Sequence, residues 1–580
     1  MRNSNYDKFP FVAVPGDFTV WKGWPAVSHA LLEHLHGRKR AVLIVDTYPG
    51  ANDVELLNEL ESRLRPALTI RTLDLKKPEP VLKALIGRNL TDDRIFGVLS
   101  CHTLDEFFEE AKLTLARAQI DQVREGLVLI YGVGAGLVAC GDLLVFADLA
   151  RWEIQRRYRG GLGNWGADNG GEDFFRKYKR AFFVEWRAAD RHKFDAFDRI
   201  DLFLDTHVPD APKLVESRAL RAALKHAATR PFRVVPFFDP APWGGQWMKE
   251  VCDLDRGKKN YGWCFDCVPE ENSLLLGFGA ERIEMPSLNL VWREPVALLG
   301  DGVHARFGRE FPIRFDFLDT MGGGHLSFQV HPLTEYIQQH FGMHYTQDES
   351  YYLLDAGPKA QVYLGLREEV VPEAMVRDLH TAQAGGEPFP VEKYAKVWPA
   401  KKHDHFLIPA GTAHCSGADS MVLEISATPY IFTFKMWDWG RLGLDGKPRP
   451  THLDHAAANL QWDRTSRWVE ANLINRVEPV TGGDGWREER TGLHKREFIE
   501  THRHWFTKTV PHCTGGGVNV LNLVEGEAAV VESPSDAFAP LVVHYAETFI
   551  VPAAVGEYTI RPHEASGGRE CATIKAFVRA

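Results

Sequence analysis

The chain has 580 residues, 44% of them hydrophobic and 25% charged, with a formal net charge of −10. Cores stop growing at about 250–300 residues, so more than one domain is expected. The mild acidity gives no reason to invoke nucleic acid, eight cysteines are too few for a disulfide scaffold, and the longest apolar stretch (126–141) is too short and Gly-rich to span a bilayer. The first eight residues lack the apolar core of a signal peptide, so a cytoplasmic protein without a membrane partner is expected.

Up to residue 235, apolar runs alternate with helical patterns, which predicts an α/β domain with a mostly parallel sheet. Strands are expected at 41–46, 94–100, 127–131, 201–205 and 232–235, with a turn at 47–53 and an amphipathic helix at 54–64. The strand, turn and helix at 41–64 have the outline of a nucleotide-binding unit. The basic segment 151–193 resembles the lid regions of P-loop nucleoside kinases. The phosphate chemistry is missing. A GxxxxGK[ST] loop needs its lysine and hydroxyl, whereas Tyr48-Pro-Gly50 is followed by Asp53, and Gly132-Val-Gly-Ala-Gly136 carries no lysine. A degenerate kinase-like domain with a residual anion pocket and a scaffold both stay open, as does a homo-oligomer.

After residue 236 the pattern changes to short strands with Gly and Pro turns, interrupted by helical inserts near 366–384 and 452–472. Two β-rich units are expected, a core at 236–480 and a second lobe at 481–580. Cys264-Phe-Asp-Cys267, with Cys252 upstream, has no second pair at zinc-ribbon spacing, so structural cysteines are expected before a redox or metal site.

Within the core, Gln329 and His331 stand two apart on an expected strand and so face the same way. Glu349 opens the next apolar run, and His414 follows the turn Ile408-Pro-Ala-Gly-Thr-Ala413. These four converging inside a β-barrel would make a nitrogen/oxygen site for one divalent metal, with an open position for water or substrate.

Residues from about 236 onward resemble the cupin-fold class I mannose-6-phosphate isomerases. The resemblance rests on Leu326-Ser-Phe-Gln-Val-His-Pro332 (family LSxQVHP), on the turn before His414 (family PxGTxH), on Trp243-Gly-Gly245, and on Trp437-Asp-Trp-Gly-Arg441 with Gly446, Arg449 and His452. It implies double-stranded β-helix (cupin) lobes with helical inserts, and Gln329, His331, Glu349 and His414 as ligands, zinc being the first choice of metal. It also implies a small sugar phosphate as substrate, with mannose 6-phosphate and fructose 6-phosphate interconverted by enediol proton transfer. Glu424 matches a family glutamate and is the candidate acid/base. Arg441 and Lys435 are candidates for the phosphate or a substrate oxygen, and Asp438 for orienting them.

Two departures bear on the sugar. Asp316 stands where the family has a substrate-contacting lysine, with Arg314 two residues away to compensate, and Lys435 replaces a family arginine. Lysine keeps the charge but loses the bidentate fork. An isomerase or epimerase for another sugar, and a non-catalytic sugar or nucleotide sensor, therefore remain alternatives.

Overall fold

The computed structural model describes residues 4–579 apart from 428, 429, 431, 493 and 495. Its N-terminal part is built on a seven-stranded sheet. Five central strands are parallel: β1 (Arg40–Thr47), β2 (Leu68–Arg71), β3 (Gly126–Gly132), β4 (Leu143–Asp148) and β5 (Leu202–Asp205). They lie in the order β5-β4-β1-β3-β2, and Lys213–Glu216 and Val20–Lys22 continue the sheet antiparallel beyond β5. β1 is buried on both faces, as its unbroken apolar run requires. The helix after it, α1 (Asp53–Leu64), starts where the Asn52 side chain accepts from the Glu55 amide, and Asp53 and Glu55 complement its first turn.

Open α/β sheets take ligands beyond the carboxyl ends of their strands, where the strand order reverses. Here that place, at the end of β1, is filled from within. The Asp46 carboxylate accepts from the amides of Gly134 and Gly136, both at 2.9 Å, and lies 2.7 Å from His192 Nε2. Beside it Lys193 closes on Asp148 at 2.5 Å. The glycine-rich loop thus cradles the protein's own carboxylate. The basic segment is similarly committed: Arg151 pairs with Asp190 and Glu270, Arg157 with Glu153, and Arg180 with Glu185, while Lys177 donates to three backbone carbonyls.

Two expected strands are absent. Residues 94–96 turn, with the Ile95 and Phe96 amides on the Asp93 side chain, and 98–100 bond outside the sheet, Val98 to Asn89, Leu99 to Phe341 and Ser100 to Phe183. Phe96 is buried against the β-rich part and Ile95, Val98 and Leu99 are half-buried, which a single sequence cannot distinguish from burial within a sheet. Residues 232–235 form only isolated bridges, Phe232 with Ile550 and Val235 with Ser273.

The following part faces a six-stranded sheet against a five-stranded one. The first carries β6 (Trp263–Cys267), β7 (Arg314–Asp319), β9 (Glu349–Ala356), β10 (His405–Ile408) and β12 (Ser420–Ser426), in the order β10-β9-β12-β7-β6, with Phe237–Asp239 at the edge. The second carries β8 (Phe328–Val330), β11 (His414–Ser416) and β13 (Phe434–Trp437), with Gln361–Leu366 and Ala395–Pro399 beyond β11. Helices Pro372–Gln383, Leu453–Asn459 and Ser466–Asn472 fall where inserts were expected. Gly245 must be glycine: a Cβ there would come 2.1 Å from Asp319 Oδ1. Cys252, Cys264 and Cys267 are buried, and burial pushes all three thiols well up, which suits packing rather than redox work.

The C-terminal lobe has β14 (Trp486–Gly492), β15 (Ile499–Phe506), β16 (Asn519–Glu525) and β17 (Cys571–Val578) in a six-stranded sheet, opposite a four-stranded one. It has an apolar core of its own around Phe506, Leu521, Val531 and Ile560, while one continuous core joins the N-terminal part and the preceding barrel and takes in Val520, Ile550, Ile574 and Ala576 of this lobe. Among the described residues, no helix is long and apolar enough to cross a membrane.

Candidate metal centre

Strand register assembles the site. On β9 and β12, Glu349 stands opposite Ser426 and Tyr351 opposite Glu424; on β7, Arg314 and Asp316 continue the same two rows. Across the barrel, β11, β8 and β13 set His414, Gln329 and Lys435 side by side. Residues directly paired across strands share a face, so both sets point into the space between the sheets. His331, just past β8, shares the face of Gln329.

His331 Nε2 lies 3.1 Å from Glu349 Oε2, and His414 Nε2 lies 2.9 Å from Glu349 Oε1. All three side chains are at most 1% exposed. The other nitrogen of each ring fixes its tautomer: His331 Nδ1 is 2.7 Å from the Phe432 carbonyl, and His414 Nδ1 is 2.8 Å from that of Thr412. A carbonyl only accepts, so each Nδ1 carries the hydrogen, and in the neutral ring each Nε2 presents a lone pair. Two lone pairs then face a carboxylate, acceptor against acceptor, an arrangement that calls for a cation between them. His331 Nε2 and Glu349 Oε1 are among the buried atoms without a hydrogen-bond partner. The three donors fall within 4.8 Å of one another, and separations of 2.9–3.1 Å approach those between neighbouring ligands on an ion with bonds of about 2.1 Å. The residues present fit a divalent metal.

Gln329 supplies a fourth group, its amide 3.1 Å from His414 Nε2 while Ser327 Oγ holds the other end at 2.9 Å. Turning the amide over would aim its oxygen at the centre, and the two orientations differ only in hydrogen bonding. Burial alone would raise Glu349; positive charge on the His331 and His414 rings outweighs it and holds the carboxylate well below its usual range, a role that falls to a cation between the side chains when the rings are neutral. Glu424 goes the opposite way: burial, then the charges of Glu349 and Asp316, push it well up. Arg314 pairs with Asp316 at 3.0 Å, both buried, so the acid in the lysine position is matched by the arginine beside it.

At the far edge, Asp438 accepts from Arg441 at 2.7 Å and from Arg449 at 3.0 Å on each oxygen. Lys435 is half-buried, and burial, aided by Arg449 and opposed by Asp438 and Asp93, brings its ammonium down to about 7. Gln347 escaped the sequence reading. It donates to Glu349 Oε2 at 3.1 Å and to Glu424 Oε1 at 3.4 Å, and so spans the two carboxylates. It stands two residues before Glu349, the same spacing that singled out Gln329 and His331. In the sequence Arg449 stands out only as a motif match and Tyr351 only as part of a strand.

A family model described as a domain of unknown function (DUF8485) matches residues 23–229. The chain is 25% identical over 231 residues to the probable mannose-6-phosphate isomerase GmuF of Bacillus subtilis, covering 39% of this chain and 67% of that protein. It is 26% identical over 231 residues to mannose-6-phosphate isomerase ManA of the same organism, covering 39% and 66%. The match thus spans about two thirds of the length of these relatives. The crystal structure of mannose 6-phosphate isomerase from Bacillus subtilis aligns with 60% of this chain and 99% of its own at a TM-score of 0.49 and 17% identity. The chain therefore combines a segment that matches the DUF8485 model with a stretch similar to mannose-6-phosphate isomerases.

Proposed function

We propose that the protein is a divalent-metal sugar-phosphate isomerase that interconverts mannose 6-phosphate and fructose 6-phosphate. The observation that carries this reading is the acceptor-only convergence of His331, Glu349 and His414 beside a carboxyl group, Glu424, that is poised to hold a proton.

Aldose–ketose isomerisation moves a proton between adjacent carbons while charge builds on two sugar oxygens. A metal held by Gln329, His331, Glu349 and His414 would polarise those oxygens. Glu424 takes the proton and returns it. A carboxyl group raised by burial and like charge has a pKa nearer working pH, where an acid/base is most effective. Gln347, donating to both Glu349 and Glu424, fixes the base relative to the metal ligands. Arg314 balances Asp316 next to Glu424, so this row adds no unpaired charge at the sugar. The phosphate falls to the opposite edge, where Arg441 and Arg449 share the single carboxylate of Asp438 and Lys435 adds a further cation. Binding energy gathered there orients the reacting carbons.

The test is turnover of mannose 6-phosphate with and without a chelator, alongside His331→Ala. Activity lost on chelation, restored by added zinc and absent in the variant supports the reading. A metal-loaded protein that turns over neither mannose 6-phosphate nor fructose 6-phosphate sinks it.

A further inference from the structure

We infer that the N-terminal domain is a positioning part of the metal centre, its Asp93–Phe96 turn holding the segment that carries Phe432 and Lys435, and through Phe432 both His331 and Gln347. This rests on the reading of His331, Glu349 and His414 as metal ligands and is independent of which sugar is turned over.

Phe432 connects the two parts. Its carbonyl lies 2.7 Å from His331 Nδ1 and sets that ring's tautomer; its amide donates to Gln347 Oε1 at 3.1 Å. Gln347 in turn spans Glu349 and Glu424. One peptide segment therefore fixes a metal ligand and the bridge between the two carboxylates.

What stands behind that segment comes largely from the N-terminal domain. The Phe96 ring, 1% exposed, stacks on Phe432 at 5.3 Å and 14°, and meets Phe434 at 5.4 Å and His452 at 4.7 Å. Phe183 reaches Phe432 edge-on at 6.2 Å. Asp93 fixes the turn by accepting from the amides of Ile95 and Phe96 at 2.6 and 2.7 Å. Its other oxygen lies 3.2 Å from His452 Nε2, and the His452 amide donates to the Lys435 carbonyl at 2.9 Å. The Leu99 amide donates to the Phe341 carbonyl at 2.9 Å, and Phe341 also packs on Phe432, at 5.1 Å. Residues 94–100 thus leave the N-terminal sheet to act as a wall behind the metal centre.

Groups that orient a metal ligand from behind typically change metal affinity or activity about 10–100-fold when altered. The experiment uses the full chain stripped of metal and titrated with Zn2+ against a chromophoric chelator, with thermal unfolding measured on the same samples. Phe96→Ala is expected to weaken Zn2+ binding about 10–100-fold, with a smaller loss in Phe96→Leu and Asp93→Asn. Leu129→Ala, at a fully buried position in the middle of the N-terminal sheet, is the control: it lowers the unfolding temperature and leaves Zn2+ affinity within about twofold. If Phe96→Ala does not fold, Phe96→Leu and Asp93→Asn carry the test. Affinities in those variants equal to wild type, or a control that weakens Zn2+ as much as they do, would overturn the inference. Because the readout is metal affinity, a wrong sugar leaves it unaffected.

Discussion

The two β lobes are both built from facing antiparallel sheets, yet they enclose opposite things. Between the sheets of the first lie Glu349, Glu424, Asp316, Arg314 and two histidines, all at most 4% exposed. Between those of the second lie Phe506, Leu521, Leu523, Val531 and Ile560, all fully buried. Histidines and glutamates also occur at one end of the second lobe, but their wiring differs. His502 lies between Glu488 and Glu500, at 2.7 and 2.8 Å, and His504 Nε2 is 3.1 Å from Glu488. Among the described residues no carbonyl claims the hydrogens of His502 and His504, so N–H groups can meet the carboxylates. In the first lobe the backbone takes each Nδ1 hydrogen and leaves lone pairs facing Glu349. In the second lobe the carboxylates take up His502 on both sides and His504 on one, leaving His504 Nδ1 and both nitrogens of the neighbouring His512 without a partner among the described residues. In the first the two rings meet on one carboxylate and call for a cation. Architecture offers the space, and the hydrogen bonds behind the histidines decide whether it becomes a site.

The contrast can be sharpened by four measurements, from the largest expected effect to the smallest. Glu424→Gln keeps the ligand set and removes the acid/base, so kcat should fall about 10²–10⁴-fold with unchanged metal content; steady-state kinetics with metal analysis reads both. Metal should stabilise the protein through the first lobe's site. At 1,000 times its Kd a ligand adds about 4 kcal/mol, which calorimetry with and without chelator would register as a rise in the unfolding temperature that His331→Ala abolishes. Leu521→Ala should do the reverse, costing roughly 3 kcal/mol as a buried leucine does while leaving Zn2+ affinity unchanged.

The smallest effect is a pH dependence outside both cores. His405, on β10, is buried with Arg503 nearby, and burial followed by Arg503 brings it down to about 3. Unfolded, it titrates near 6.5. The folded state therefore binds fewer protons between these values. Its contribution is complete above about pH 6.5 and is lost as pH falls toward 3, by roughly 2 kcal/mol at pH 5. Denaturant titrations at pH 7 and pH 5 should show that loss in wild type and a smaller one in His405→Phe.

Much of the first lobe's candidate ligand set is legible because it obeys local rules. Alternation on a strand put Gln329 and His331 on one face, and a Gly-containing turn delivered His414. What could not be read is what register alone creates. Lys435 beside Gln329, and Asp316 beside Glu424, follow from strands far apart in sequence meeting in one alignment. The bond from His331 to the Phe432 carbonyl spans 101 residues. Residues 94–100 were expected in the sheet because an apolar run signals burial without saying against what. The edge strands Lys213–Glu216 and Val20–Lys22 went unread because they are short and only partly apolar. The missing lysine of the phosphate loop was visible in the sequence, but that Asp46 fills the place instead was not.

The most direct measurement is the metal content of the purified chain, set beside that of His331→Ala and His414→Ala, with mannose 6-phosphate turnover recorded on the same preparations. The account predicts close to one divalent ion per wild-type chain, little in either variant, and turnover that follows the metal. A wild-type chain that is fully active without metal, or variants that keep both metal and turnover, would contradict it.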